Sequence, residues 1–232
     1  MALFAIGDLH LSLGSKKPMD VFGGAWDGYV EKIKEGFSIV GENDAVVLCG
    51  DISWGMNLAE SAPDFRFISS LPGKKIIVKG NHDYWFSTAA KLGRFLSDEG
   101  ITGVEMLHNN CVFVGSTALC GTRGWFYEED FKNSGDEKVF RRELLRLESS
   151  LTCARKGGAE RIFCFLHYPP IFERYRCPEI LNMLTEYGVR LCCYGHLHGH
   201  SHKSGFEGVW GGVEYRLCAA DYIGFRPVLI AE

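Results

Sequence analysis

Short apolar runs recur along the chain, and each of them ends at a glycine or a polar residue. Uninterrupted runs of β-branched and other apolar residues are typical of strands that are buried on both faces of a sheet. The pattern therefore predicts strands at residues 3–6, 45–49, 75–79, 162–166 and 191–194.

Apolar residues at helical spacing lie between these predicted strands. Positions 26, 30, 33, 37 and 40 form one such pattern, and positions 139, 144, 147 and 151 form another. Pro178 suits the first turn of a third helix, which Gly188 would end. Strands that alternate with helices indicate an α/β layered fold. Residues 209–218 and 227–230 resemble strands with short connections, so we expect a mixed sheet or a second sheet.

Composition describes an ordinary globular protein, with 46% apolar and 23% charged residues. No internal repeat, low-complexity segment or linker rich in proline and serine interrupts the sequence, so we expect a single domain over residues 1–232. The formal net charge of -4 argues against a non-specific nucleic-acid binder. It leaves a nuclease open, because bound metal can supply positive potential.

Cysteine usage and the N-terminal segment bear on the cellular compartment. The nine cysteines are an odd number and cannot all pair within one chain, and no Cys-x-x-Cys pair suggests a structural zinc site. The first residues lack the basic and apolar regions of a secretory signal, and no apolar run is long enough to span a bilayer. We therefore expect a cytoplasmic protein with reduced thiols and no membrane partner.

Residues that can carry chemistry directly follow the predicted strands. Ligands of α/β sheets bind at the carboxyl ends of strands, so separate segments can converge on one rim. Each segment alone is a weak signal, but together they supply the carboxylate, imidazole and amide groups that divalent metal ions prefer. The segments are Asp8-Leu9-His10, Gly50-Asp51, Gly80-Asn81-His82-Asp83, His167 and Gly195-His196-Leu197-His198.

In this order the segments resemble the signature of the calcineurin-like metallophosphoesterase superfamily. The resemblance extends from Asp8 to His198, and no metal-ligand position is missing. It implies mixed β-sheets packed as a sandwich and flanked by helices, in four α/β/β/α layers. It also implies a phosphohydrolase that cleaves small phosphodiesters, nucleotides or phosphomonoesters by attack of a metal-bridging hydroxide, with two divalent ions (Mn, Fe, Zn or Mg) as cofactors.

The resemblance assigns seven metal ligands. One ion takes Asp8, His10, Asp51 and His198, and the other takes Asp51, Asn81, His167 and His196. Asp51 would bridge two ions that lie about 3.5–4 Å apart. Alternation along an extended segment places the imidazoles of His196 and His198 on one side. Two divalent ions and two carboxylates leave a net charge of about +2, which attracts a phosphate dianion.

Three further residues are candidates for catalysis. By the resemblance, His82 lies near the substrate and protonates the leaving oxygen, a role that suits a side chain whose pKa is close to neutral. Asp83 either orients His82 or a neighbouring ligand, or caps the segment that follows. Arg123 lies in a loop flanked by glycines and either clamps the substrate phosphate or pairs with a surface carboxylate.

Other residues near the motifs have two interpretations each. His200 and His202 either extend the metal-binding face or belong to an exposed loop, and His108 is expected to be structural. Four aromatic residues either line the cleft or pack in the core: Trp54, Tyr84, Trp85 and Trp125.

Departures from the pattern narrow the function without identifying a substrate. The segment after Gly50-Asp51 lacks the Asp-Arg pair of the superfamily's protein phosphatases, which disfavours that activity. The alternatives are a non-catalytic scaffold of the same fold, which usually loses metal ligands, and a nuclease, which usually carries basic appendages. The sequence leaves open the metals, the choice between monoester and diester, and the oligomeric state.

Overall fold

The computed structural model describes residues 1–125, 134–173 and 175–232. The strands are β1 (Leu3–Ile6), β2 (Ala45–Cys49), β3 (Lys74–Val78), β4 (Val104–Met106), β5 (Val112–Val114), β6 (Thr117–Thr122), β7 (Arg161–Leu166), β8 (Ile171–Phe172), β9 (Tyr175–Arg176), β10 (Leu191–Tyr194), β11 (Gly208–Trp210), β12 (Val213–Leu217) and β13 (Val228–Ala231). The helices are α1 (Tyr29–Gly36), α2 (Leu58–Ser70), α3 (Ala89–Asp98), α4 (Ser134–Lys156) and α5 (Pro178–Glu186). Short 3-10 helices cover Met19–Phe22, Gly24–Trp26, Phe37–Ile39 and Gly199–Ser204.

Two large mixed sheets form the centre of the molecule. One sheet has the strand order β13-β1-β2-β3-β4, and the other has the order β11-β12-β10-β7-β6-β5. Within each sheet, neighbouring strands run parallel, except that β13, β11 and β5 are antiparallel to the strands they pair with. Strands β8 and β9 form a separate hairpin.

Alternate strand residues pack against different layers. In β1, Leu3 and Ala5 belong to a cluster that also contains Phe163 and Cys193 of the second sheet, so the two sheets pack face to face. The intervening residues of β1 pack in a second cluster with side chains of α1, α2 and α3. Helices α4 and α5 cover the outer face of the second sheet in the same way. The prediction of two mixed sheets packed as a sandwich and flanked by helices is therefore confirmed, and burial on both faces explains why the strands are uniformly apolar.

Local details differ from the sequence pattern where glycine or proline intervenes. The run at residues 209–218 is a hairpin of β11 and β12, because Gly211 and Gly212 both have positive φ and turn the chain between them. Helix α1 starts after Gly28, whose φ of 62° is left-handed, so the apolar position 26 lies in a separate 3-10 turn. Helix α2 contains Pro63 and is capped by Asn57, which accepts a hydrogen bond from the Glu60 amide.

The carboxyl ends of the parallel strands meet at one rim. The end of β1 is joined to the end of β12 by a parallel bridge between Gly7 and Ala219, and the Gly7 amide donates to the Cys218 carbonyl at 2.7 Å. Strands β2 and β3 lie beside β1, while β10 and β7 lie beside β12, so both sheets present their carboxyl ends on this side. Within the described residues, no helix has the length and apolar character needed to cross a bilayer.

Candidate metal centre

The seven predicted metal ligands lie together at this rim in two overlapping groups. In the first group, donor atoms of Asp8, His10 and His198 all lie within 4.8 Å of one another. His10 Nε2 is 3.1 Å from His198 Nε2, which in turn is 3.5 Å from an Asp8 carboxylate oxygen. Imidazole nitrogens and a carboxylate that face one another this closely form a natural pocket for a cation.

The second group is built around the Asn81 amide oxygen. That oxygen is 2.6 Å from His167 Nε2 and 2.9 Å from His196 Nδ1. Asp51 lies between the two groups, because its Oδ2 atom is 3.5 Å from His167 Nε2 and 3.8 Å from His10 Nε2. This position is the one that a ligand shared by two ions requires.

Hydrogen bonds fix which ring nitrogen faces the centre in two of the histidines, His167 and His198. His167 Nδ1 is 3.0 Å from the Cys49 carbonyl, which can only accept, so Nδ1 carries the proton and Nε2 presents its lone pair. His198 Nδ1 likewise lies 2.9 Å from an Asp221 carboxylate oxygen and leaves Nε2 directed at His10. A histidine that donates its second nitrogen to a carbonyl or carboxylate is the usual arrangement at metal sites.

Backbone geometry at the centre is strained. Asp8, His10, Asp51 and His196 have φ values of 59°, 45°, 51° and 73°, in the left-handed region that side chains other than glycine rarely adopt. Most of the positive-φ residues other than glycine in the described chain thus belong to this rim. Such conformations persist only where the surroundings impose them, and they concentrate at functional sites.

The glycines of the motifs allow the strand ends to approach one another. A Cβ atom on Gly80 would lie 2.1 Å from Asp51 Oδ1, and one on Gly195 would lie 2.2 Å from Asp8 Oδ2. The carboxylates also hold the neighbouring backbone, since the His82 amide donates to Asp51 Oδ1 at 2.7 Å and the His196 amide donates to Asp8 Oδ2 at 2.9 Å. Any larger residue at either glycine would displace a ligand carboxylate.

The electrostatics of the residues suit bound cations. Burial lowers the pKa of His167 and of His196 to about 3, so both imidazoles are in the neutral form that binds metal. Burial, together with the Asp83 and Asp8 carboxylates, raises the pKa of Asp51 well above its usual range. Burial lowers the pKa of His198, but Asp8 and Asp221 outweigh that effect and raise it to about 10. Crowded carboxylates beside the neutral imidazoles of His167 and His196 fit divalent ions, whose charge would stabilise the ionised acids.

Asp221 is a site residue that the sequence reasoning missed. Its carboxylate accepts from the Gly199 amide at 3.0 Å as well as contacting His198, and His202 Nε2 lies 3.2 Å from it. His202 therefore belongs to a cluster with His198 and Asp221, and this cluster shares His198 with the first group, here called the first metal group. His200, in contrast, is exposed. Asp221 comes just after β12, so the rule that functional residues follow strands would have found it in the tail of the chain.

Asp83 is fully buried and binds backbone and an indole. It accepts hydrogen bonds from the amides of Gly80 at 2.7 Å and Ile52 at 2.8 Å, and from Trp85 Nε1 at 2.9 Å. The loop after β3 carries Asn81 and the loop after β2 carries Asp51. Asp83 therefore holds together the two loops that carry these predicted ligands.

His82 and Trp54 lie beside the first metal group. The His82 ring is 4.4 Å from the Trp54 ring and 5.8 Å from the His10 ring, measured between centroids. His82 Nδ1 is 3.5 Å from the Tyr84 hydroxyl, and burial lowers the pKa of His82. Trp85 is different, because it is only 3% exposed and packs against Phe65 in the core.

Arg123 lies beside the second metal group. Its carbonyl accepts from the amides of His167 at 3.1 Å and Tyr168 at 2.9 Å, and the Tyr168 ring is 4.4 Å from the His196 ring. The guanidinium is 4.7 Å from the Trp125 ring and 3.5 Å from a Glu143 carboxylate oxygen, while its Nε has no hydrogen-bond partner among the described residues. Glu143 is buried, so the partner of Arg123 is not the surface carboxylate that the alternative interpretation assumed.

Two mixed sheets carry, at the carboxyl ends of their strands, clusters of Asp and His that could hold metal ions. The model of the calcineurin-like phosphoesterase family matches residues 1–200, and the chain therefore belongs to this family. The predicted family is thus confirmed. Phosphoester hydrolysis is the activity that family membership and the candidate metal ligands support.

Solved structures share the fold at low sequence identity. Phosphopantetheinyl hydrolase (PptH) from Mycobacterium tuberculosis is 13% identical, with 99% of this chain and 95% of that chain covered at a TM-score of 0.55. The protein TT1561 of Thermus thermophilus is 12% identical, with 99% of this chain and 97% of that chain covered at a TM-score of 0.53. No functionally curated protein matches the sequence.

Proposed function

We propose that the protein is a phosphohydrolase that cleaves phosphoester bonds of small phosphorylated substrates at a centre of two divalent metal ions. The observation that carries the proposal is the convergence of all seven ligand positions on one rim, with the Asp51 carboxylate between the two groups. A scaffold of the same fold has no need for this complete and strained set of donors.

The chain offers a full set of ligands for each ion. Asp8, His10 and His198 would hold one ion, Asn81, His167 and His196 would hold the other, and Asp51 would serve both. Two divalent ions in these positions supply an activated water at neutral pH and stabilise the charge that develops on the phosphoryl oxygens. Asp83 and Asp221 position ligands, since each is hydrogen-bonded to the backbone or side chain of ligand segments.

His82 is placed to give a proton to the leaving oxygen. It lies beside the first metal group, and its half-buried ring makes no hydrogen bond to the side chain of any of the seven predicted ligands in the described structure. An imidazole near a reacting oxygen can transfer its proton as the ester bond breaks.

Arg123 is placed to hold the substrate phosphate from the other side. Arg123 and Arg146 share one buried carboxylate, Glu143, which also accepts from Thr122 at 2.5 Å. Arg146 makes the shorter contact, at 2.7 Å, so the Arg123 guanidinium keeps donors for an anion. A guanidinium is well suited to bind two phosphate oxygens at once.

The test is turnover by protein stripped of metal and reconstituted with Mn, Fe, Zn or Mg. The substrates are p-nitrophenyl phosphate, bis-p-nitrophenyl phosphate, nucleotides and a phosphopantetheinyl ester, the last because a protein of the same fold is named for it. We expect metal-dependent hydrolysis. Asp51→Asn should lower it more than about hundredfold, since residues that merely orient metal ligands already contribute about 10–100-fold. Asp98→Asn, an exposed change at the end of α3, is the matched control. Absence of hydrolysis with every metal and ester would refute the proposal.

A further inference from the structure

A cavity of about 750 Å³ opens beside the first metal group. Its lining includes His10 and His198 of that group and also His82. The residues of the second group, Asn81, His167 and His196, do not belong to the lining. The cavity therefore lies on one side of the centre, and Arg123 with Tyr168 lies on the other.

The walls of this cavity are mainly apolar, and the polar side chains among them are those of four histidines and Asp221. Met19, Phe22, Trp26 and Trp54 contribute their side chains, and Gly23, Gly24 and Ala25 contribute a stretch with little side chain. Trp54 is held at its edge by a contact of 3.2 Å between its Nε1 and the Met19 sulfur. A volume of this size with mainly apolar walls and a few polar groups at one end is characteristic of sites for small organic molecules.

Among the described residues, no lysine or arginine lines the cavity. Asp221 is its one ionised residue there apart from histidines, and that carboxylate is already engaged by His198, Gly199 and His202. Lys17 lies 5.2 Å from the Trp54 ring but belongs to a neighbouring hollow of about 450 Å³. An additional phosphate or carboxylate would therefore enter an apolar space beside a carboxylate, which is unfavourable.

Phe22 is an apolar side chain that the fold itself leaves largely uncovered. It is 70% exposed although it lines both hollows, and it ends a 3-10 helix next to Gly23 and Gly24. Both glycines have φ near 60°, where side chains are strained. This segment thus offers an accessible aromatic ring next to two glycines that have no side chain, which suits contact with a substrate group.

Building on the proposed function, we infer that this cavity receives the leaving group, and that the substrates are phosphoesters whose leaving group is uncharged and apolar. His82 relates the cavity to the leaving group, because it lines the cavity and is the proposed proton donor to the leaving oxygen. With the phosphate at the metal ions and Arg123 on the far side, the group attached through that oxygen extends towards Trp54 and Phe22.

The experiment compares pairs of esters whose leaving groups have similar acidity but different apolar area. One pair is phenyl and 2-naphthyl phosphate, and the other is ethyl and octyl phosphate, each used as the monoester or as the methyl diester according to what the protein hydrolyses. We expect the larger member of at least one pair to be favoured in kcat/KM by about tenfold, as is usual for added apolar groups in a matching pocket. A preference within the phenyl and naphthyl pair would indicate an aromatic leaving group. A preference within the ethyl and octyl pair would indicate an alkyl chain.

Variants assign any preference to this cavity. Phe22→Ala and Trp54→Ala should bring the ratio within the favoured pair towards one, whereas Phe113→Ala, which removes an exposed phenylalanine on β5, should leave the ratio unchanged. Equal kcat/KM within both pairs, or a preference that both cavity variants retain, would overturn the inference while hydrolysis itself still supports the proposed function. If the unaltered protein hydrolyses none of the esters, that result would instead refute the proposed function.

Discussion

His82 and Asp83 are adjacent in the sequence but differ in what their side chains contact. Asp83 is buried and accepts hydrogen bonds from three loop amides and an indole, while His82 lines the open cavity. A histidine that lines the cavity, and whose ring is not hydrogen-bonded to a predicted metal ligand, is available for proton transfer. This difference leads to a specific kinetic prediction for His82.

We predict that His82→Ala retains its metal but loses activity according to the leaving group. An alkoxide needs a proton as the ester bond breaks, whereas p-nitrophenolate departs without one, so alkyl esters should lose about 10²–10⁴-fold and nitrophenyl esters much less. The measurement is kcat/KM for both classes together with elemental analysis. His108→Ala, which removes a half-buried histidine outside the centre, is the control. Equal losses for both classes at full metal content would eliminate the role of His82 as acid.

At the scale of single residues, the sequence predicted which side chains meet at the rim better than it predicted their individual contacts. The ligand types and their positions after strands were sufficient to bring seven residues into two groups. The support of His198 by Asp221 was missed, because it depends on the loop after β12 folding back over a distant segment. The partner of Arg123, in contrast to Asp221, was not foreseeable, since Glu143 is brought to it by α4 packing against β6.

At the scale of elements, the centre depends on how closely the ends of β2 and β3 approach. Gly80 has negative φ, so its requirement for glycine comes from the nearby Asp51 side chain and amide rather than from backbone strain. A methyl group at this position would push on the carboxylate that both ions would share.

We therefore predict that Gly80→Ala lowers the free energy of unfolding by about 1–3 kcal/mol, the usual range for overpacking, and weakens metal binding. Gly93→Ala is the matched control, because a Cβ atom there meets nothing within 4 Å and the residue lies inside α3. It should stabilise the protein by roughly 0.5–1 kcal/mol, since alanine is favoured over glycine in helices. Denaturant unfolding and metal titration of both variants provide the measurement. Metal affinity in Gly80→Ala equal to that of the unaltered protein would contradict this account of the glycine.

The elements that were predicted well are those with both a strong pattern and clear ends. The boundaries of β1, β2 and β10 match the apolar runs, because burial on both faces leaves no polar position to blur them. Helix α2 was missed because Pro63 and three serines weaken its pattern, although tertiary packing of Phe65 and Ile68 stabilises it. The strands β4 and β5 have only three residues each, which is too short for alternation to be visible.

At the scale of the whole molecule, two sheets each contribute part of the candidate metal centre. The first sheet leads into the Asp8, Asp51 and Asn81 segments, and the second leads into His167 and His196. Neither sheet alone has a complete ligand set, so binding of metal would link the two halves of the sandwich. Ligands that bind only the folded state stabilise it, and bound metal should therefore raise the Tm.

The central claim is that this rim holds two metal ions, and metal stoichiometry tests it most directly. Protein stripped of metal, reconstituted with Mn and freed of excess metal should contain about two ions per chain, as a shared carboxylate and two ligand groups require. His196→Ala should lower the content towards one ion, and Asp51→Asn should deplete both sites, while the exposed control Asp98→Asn keeps two. Reconstituted protein that binds no metal, or that binds the same amount after Asp51→Asn as before, would contradict the account.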